Sequence, residues 1–216
     1  MKFKAKKILY LGIDPERYPQ TGELVHVPLI QTIPRPFSGR IQQVFESLET
    51  YTHVVLTSRV AAELYCGYAA HAQQNVQNKT YMSVGSATTE FLGQREIKVV
   101  YTAAVQTAEG VVEVLKGLDL QKAHLLFPHS ALARDVIPSY CAEQQIRMTT
   151  LDLYDTQPSD TPLPELSPFD QIVFTSPSVV HAFFARAATY PSREICYPIG
   201  PVTEAVLNQY YTFSFT

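Results

Sequence analysis

The chain has 216 residues, is 46% hydrophobic and 17% charged, and carries a formal net charge of −3. This is the composition of a globular protein with one large domain or two small ones, and it lacks the basic excess of a general nucleic-acid binder. No apolar run approaches the length of a membrane span, and any anionic ligand must be held by local N–H groups and a few cations rather than by a global field.

Lys7 to Gly12 is an unalternating apolar run, as expected of a buried parallel strand. Ile13 to Glu23 is a loop broken by prolines, and Leu24 to Ile33 reads as a second strand ended by Ile33-Pro34-Arg35-Pro36. Ile41, Val44, Phe45 and Leu48 recur at helical spacing between Gly39 and Thr50, with Ser38 as the N-cap. Strands are expected at His53–Thr57, Thr80–Val84, Lys98–Tyr101, Ala123–Phe127 and Arg147–Tyr154. The intervening helices are Arg59–Ala72, Ser86–Leu92, a stretch capped by Thr107, and Leu132–Gln144. After a proline-rich segment between Gln157 and Pro168 come strand Gln171–Thr175, helix Ser178–Thr189, strand Cys196–Ile199, helix Pro201–Asn208 and a short strand Thr212–Phe215. Strands alternating with helices at this spacing imply βαβ units and a parallel sheet.

The chain also repeats itself. Val54-Val55-Leu56-Thr57-Ser58 is echoed by Ile172-Val173-Phe174-Thr175-Ser176, and Val84-Gly85-Ser86-Ala87-Thr88 by Ile199-Gly200-Pro201-Val202-Thr203. The expected fold is therefore α/β: two similar parallel-sheet domains joined by a two-stranded linker. Residues 1–34 with 158–216 form a discontinuous outer domain, and residues 38–153 an inserted one. Residues 35–37 and 154–157, the latter extending to about 168, are the crossings. Ligands of open parallel sheets bind beyond the carboxyl ends of the strands, so a cleft between the two rims is expected. Cys66, Cys141 and Cys196 are far apart and outside metal-ligand spacing, which points to buried free thiols and no metal site. The basic start Met1-Lys2-Phe3-Lys4-Ala5-Lys6-Lys7 precedes an apolar run too short for a signal peptide, and the cytoplasm is the expected compartment.

Seven phrases in this order resemble uroporphyrinogen-III synthase. They are Val55-Leu56-Thr57-Ser58, Val84-Gly85-Ser86-Ala87-Thr88, Thr107-Ala108-Glu109-Gly110-Val111, Leu126-Phe127-Pro128 with Arg134, Leu153-Tyr154-Asp155-Thr156, Val173-Phe174-Thr175-Ser176-Pro177-Ser178 and Ile199-Gly200-Pro201-Val202-Thr203. The resemblance implies a two-domain enzyme that closes hydroxymethylbilane, a linear tetrapyrrole with eight carboxylates, into uroporphyrinogen III. The last pyrrole is inverted, water is lost, and no cofactor is used. It also implies a monomer that takes its substrate, in a transient hand-over, from the preceding enzyme of the pathway, with no nucleic-acid or membrane partner.

By the same resemblance Tyr154 is the proton donor to the departing hydroxyl; without it, Tyr154 reads as a junction-packing residue with a wet hydroxyl. Ser58, Gly85, Ser86, Thr88, Ser130, Arg134, Ser176, Pro177, Ser178, Gly200 and Thr203 are the substrate-binding candidates. For the serines the competing role is helix capping, for the threonines a place in the first turn, and for Arg134 a solvated surface position. His129, Arg59 and Arg186 read as incidental.

The chain departs from the family at Leu11-Gly12-Ile13-Asp14-Pro15, where an Arg-Pro and a full helix are usual. It departs again at Pro128-His129-Ser130, in place of an Arg-Gly-like turn, and at Thr216, before the family's last helix. Apolar surface around Phe213 and Phe215, with dimerisation or reduced stability, is the expected consequence. The alternative function is a non-catalytic module of the same fold binding tetrapyrroles or other polycarboxylates. A periplasmic-type receptor is a third reading, disfavoured by the short chain and the missing signal peptide.

Overall fold

The computed structural model describes residues 5–16, 18–19 and 21–212. The chain divides into two compact units, one formed by residues 1–32 with 156–216 and the other by residues 33–155.

The first unit is built on four strands in the order β10 (Cys196–Pro198), β9 (Gln171–Phe174), β1 (Lys6–Tyr10), β2 (Gly22–His26), every neighbouring pair parallel. β9 is buried along its whole length, apolar from Ile172 to Phe174, with Gln171 at its start donating to the Tyr18 hydroxyl. Helices α6 (Pro177–Phe184) and α7 (Pro201–Thr212) follow β9 and β10. Leu9, Leu11, Ile172, Phe174, Val179, Phe183 and Leu207 form a core in which each is fully removed from solvent. Burying side chains of this size contributes roughly 1.5–3 kcal/mol each.

The second unit carries a six-stranded sheet. Its order is β3 (Ile30–Pro34), β8 (Arg147–Pro158), β7 (His124–Ser130), β4 (His53–Leu56), β5 (Thr80–Ser83), β6 (Val99–Thr102), and it is parallel from β8 to β6. Helices α1 (Gly39–Glu46), α2 (Arg59–His71), α3 (Ser86–Gly93), α4 (Ala108–Lys116) and α5 (Val136–Glu143) connect the strands. Phe45, Leu48, Val54, Leu56, Tyr65, Leu126 and Leu153 centre one core cluster, and Val55, Met82, Leu115, Leu125 and Phe127 another. Both unit boundaries fall inside strands, 32/33 in β3 and 155/156 in β8, and residues 154–157 are strand.

Several expectations are corrected. Leu24–Ile33 is two strands, because Pro28 has no N–H to donate; the chain stays against β1 through Val27 N–H to the Tyr10 carbonyl and Leu29 N–H to the Leu11 carbonyl. The helix expected from Leu132 starts at Val136, since Ser130 draws the following residues into a turn, its Oγ accepting from Leu132 N–H. α6 ends at Phe184, five residues short of Thr189. The strand expected at Thr212–Phe215 is helical at Thr212, where α7 ends, and its remaining residues, Phe213 and Phe215 included, lie outside those described. α7 persists because its aromatic residues have partners: Tyr210 stacks on Phe184 at 4.2 Å, and Tyr211 donates to the Pro191 carbonyl at 2.8 Å.

Among the described residues no helix is long and apolar enough to cross a membrane, and no cluster of His, Cys, Asp and Glu is suited to a metal ion. All three cysteines are free, and Cys66 is half-buried rather than buried. Burial pushes the Cys66 and Cys141 thiols up to about 11, leaving little thiolate for chemistry at neutral pH.

Candidate active site

In the second unit the carboxyl ends of β4 and β7 and the point where β8 stops pairing with β7 bring three of the expected residues together. β4 delivers the chain to Ser58, the N-cap of α2, whose Oγ accepts from Ala61 N–H at 3.0 Å. β7 ends on Ser130, whose Oγ accepts from Leu132 N–H at 3.2 Å. β8 contributes Tyr154, 6% exposed, whose hydroxyl lies 3.0 Å from Ser58 Oγ and is also hydrogen-bonded to the Ser130 side chain. Burial raises the Tyr154 pKa above its ordinary value, while the hydrogen bonds of Ser58 and Ser130 pull the other way.

Tyr154 reaches that position through an irregularity. Along β7 and β8 the pairing runs Pro128↔Leu151 and His129↔Asp152, then jumps to Ser130↔Tyr154. One residue of β8 is thus extra, which is the signature of a bulge, and bulges re-aim side chains. Leu151, Leu153 and Tyr154 all enter one core cluster, although regular alternation would send adjacent Leu153 and Tyr154 to opposite faces.

Arg35 and its partners surround this bulge, and sequence reasoning passed over them. The Arg35 guanidinium donates to Asp155 through Nε at 3.0 Å and NH2 at 2.9 Å, and to Asp152 through NH1 at 3.0 Å. The Arg35 side chain holds the Asp155 carboxyl below the ordinary aspartate value. His129 Nδ1 lies 2.8 Å from the Ser130 carbonyl and 3.3 Å from Asp152 Oδ1. Asp155 stood in a phrase that sequence comparison singled out, but strand parity gave no reason to pair it with Asp152.

The remaining candidates of this unit have other surroundings. Gly85 is the N-cap of α3, and the Gln106 side chain lies so close that a Cβ at Gly85 would stand 2.6 Å from its Cδ. Ser86 is exposed, whereas Thr88 is buried at 2%. Arg134 precedes α5, is exposed and donates to Glu109 at 2.6 and 2.9 Å. The hydrogen bonds from Arg134 hold the Glu109 carboxyl at about 2.

In the first unit Ser176 is the N-cap of α6, its Oγ accepting from Val179 N–H at 3.4 Å. Pro177, at the first helical position, has no N–H, so the first free donor there is Ser178, half-exposed like Ser176. Gly200 precedes α7, its carbonyl accepting from Glu204 N–H at 3.0 Å, and Thr203 is buried at 4%. First-turn N–H groups of α2 and α6 lack intrahelical acceptors and favour anions such as carboxylates.

Known proteins share this architecture. A mutant uroporphyrinogen III synthase of the extremely thermophilic bacterium Thermus thermophilus superposes with a TM-score of 0.65 at 14% identity, over 96% of this chain and 90% of that one. A uroporphyrinogen-III synthetase of Helicobacter pylori gives 0.61 at 14% identity, over 95% and 89%. In sequence, the protein named "Putative uroporphyrinogen-III synthase" of Methanothermobacter thermautotrophicus is 22% identical over 220 residues, covering 91% of this chain and 87% of its own. The family model for uroporphyrinogen-III synthase HemD matches residues 19–214. With a match over most of its length and the fold to accompany it, the chain belongs to the uroporphyrinogen-III synthase family.

Proposed function

We propose that this chain closes hydroxymethylbilane to uroporphyrinogen III in haem biosynthesis, as a hydro-lyase without a cofactor, with Tyr154 as the proton donor to the departing hydroxyl. Departure of that hydroxyl as water leaves an azafulvene whose cation is stabilised by the pyrrole nitrogen. The last ring attacks through its substituted carbon, and the resulting spiro intermediate opens and recloses inverted. Uncatalysed closure is easy but yields the uninverted isomer, so folding the substrate correctly matters more than acceleration.

The observation that carries this reading is the hydrogen-bond arrangement at Tyr154. Ser58 Oγ accepts from Ala61 N–H and Ser130 Oγ from Leu132 N–H, and each serine still has one proton; in the arrangement proposed here both are turned to the phenol oxygen. An oxygen that accepts twice keeps its own O–H for a third partner, the leaving group. Burial keeps that proton in place at neutral pH, and the two serine donors stabilise the phenolate formed after transfer.

Carboxylates of the substrate would engage the helix starts after Ser58, Gly85, Ser176 and Gly200, with Ser86, Thr88, Arg134, Pro177, Ser178 and Thr203 around them. The same reading has a cytoplasmic monomer receiving its substrate from the preceding enzyme. Replacing Tyr154 by Phe removes only the hydroxyl; general acid catalysis of this kind is worth about 10²-fold. Type III formation by Tyr154→Phe should fall by about that factor with the fold intact. A variant within twofold of the unmodified protein would remove Tyr154 from the mechanism.

A further inference from the structure

In a regular strand, residues three apart point to opposite faces. Asp152 and Asp155 are three apart on β8, yet one guanidinium, that of Arg35, reaches both carboxylates at about 3 Å. Only the extra residue between them, the bulge opposite His129 and Ser130, puts the two carboxylates on the same face. The clamp and the bulge therefore require each other, and Tyr154 lies between the clamped residues. The backbone contributes as well: Arg35 N–H donates to the Leu153 carbonyl at 2.8 Å, the Tyr68 hydroxyl donates to the Arg35 carbonyl, and Ala131 N–H donates to the Tyr154 carbonyl at 3.0 Å. On β7, His129 Nδ1 lies 2.8 Å from the Ser130 carbonyl and stands 3.3 Å from Asp152 Oδ1.

We propose that Arg35 is a positioning residue: by holding Asp152 and Asp155 on one face of β8 it fixes the bulge that turns the Tyr154 hydroxyl onto Ser58 and Ser130. The inference rests on Tyr154 being the proton donor. Arg35 touches no reacting atom; its effect passes through the backbone of β8. Without it, alternation favours a slipped pairing in which Tyr154 no longer faces Ser130.

Arg35→Met, in the full chain, should lower kcat for type III formation by about tenfold or more while KM changes by less than about twofold, the pattern of an interaction realised only in the transition state. In a Tyr154→Phe background the same substitution should cost less than about twofold, because residues acting as a unit are not additive. Arg35→Lys, with a single ammonium in place of the fork, should fall between. If Arg35→Met fails to fold, Asp155→Asn removes one arm of the clamp and should show the same non-additivity at smaller amplitude. With 3-fluorotyrosine incorporated at position 154, the ¹⁹F resonance should shift or broaden in the clamp variants.

Equal rate losses in both backgrounds, or a rise in KM with kcat retained, would overturn the proposal and make Arg35 a direct substrate contact. An unchanged ¹⁹F resonance would overturn it too. If Tyr154→Phe alone retains full activity, the catalytic reading of Tyr154 fails, and the resonance still decides whether Arg35 positions the ring.

Discussion

Ser58 holds two bonds with one oxygen: it caps α2 and it touches the Tyr154 hydroxyl. These roles can be separated. Ser58→Ala loses both, with a cap worth about 1 kcal/mol, and the melting temperature should fall by roughly 2–4 °C for a chain of this size. Ser58→Asp keeps a capping oxygen but cannot donate to the phenol and places a negative charge beside the nascent phenolate. It should melt near the unmodified protein and still lose turnover by about tenfold or more. Full activity in Ser58→Asp would show that the serine serves only the helix. The value of Ser58 as a capping residue was legible from Thr-Ser at the end of an apolar run. Its meeting with Tyr154, 96 residues away, was not, because it depends on sheet order and on the bulge.

At the scale of elements, the ones read most closely are those whose signals are local. α2 after Ser58 and α4 after Thr107 each have a side-chain cap in place, Thr107 Oγ1 accepting from Gly110 N–H at 3.1 Å. β9 and β4 each end one residue before expected. What escaped was set by neighbours. Pro128 reads as a strand terminator, yet β7 runs on to Ser130. β4 pairs with β7 only at Leu125 and Leu126, so a residue lacking an N–H is tolerated where β7 has only β8 beside it. The bulge on β8, which re-aims Tyr154, left no mark in the hydrophobic pattern that could be told from ordinary scatter.

Glycines at this scale give predictions of opposite sign. A Cβ on Gly110 would stand 2.0 Å from the Val105 carbonyl oxygen, a backbone atom that cannot step aside. Gly110→Ala should therefore destabilise by about 1–3 kcal/mol, read as a lower urea midpoint at unchanged m-value. Gly67 lies within α2 with open space around its Cβ position, and Gly67→Ala should stabilise by roughly 0.5–1 kcal/mol. Matching effects at the two sites would mean that the close approach at Gly110 does not exist.

For the whole molecule, four groups that titrate below neutrality, His53, His124, Glu109 and Asp155, point one way. Burial lowers the pKa of His53, and burial together with Arg147 lowers that of His124, so their neutral forms are favoured in the fold. Stability from these groups is present above about 6.5 and is lost as pH falls below it. Glu109, held at about 2 by Arg134, and Asp155, lowered by Arg35, contribute stability above the ordinary carboxylate range and lose it as pH falls towards their folded values. Both carboxylates are open to solvent, so each contribution is screened and small. Urea midpoints should decline in two stages on acidification, the first between about pH 7 and 5 and the second below about pH 4.5. Arg134→Gln should flatten the second stage and leave the first; a midpoint independent of pH down to about 4 would contradict these environments.

The most direct test of the account is the isomer that the protein makes. Freshly generated hydroxymethylbilane is mixed with catalytic amounts of purified protein, oxidised, and resolved into type I and type III uroporphyrins. The account predicts a dominant type III product at a rate that scales with protein concentration. Type I alone, at the rate of the protein-free control, would contradict it. Tight tetrapyrrole binding under the same conditions would then identify the chain as a binding module of this fold.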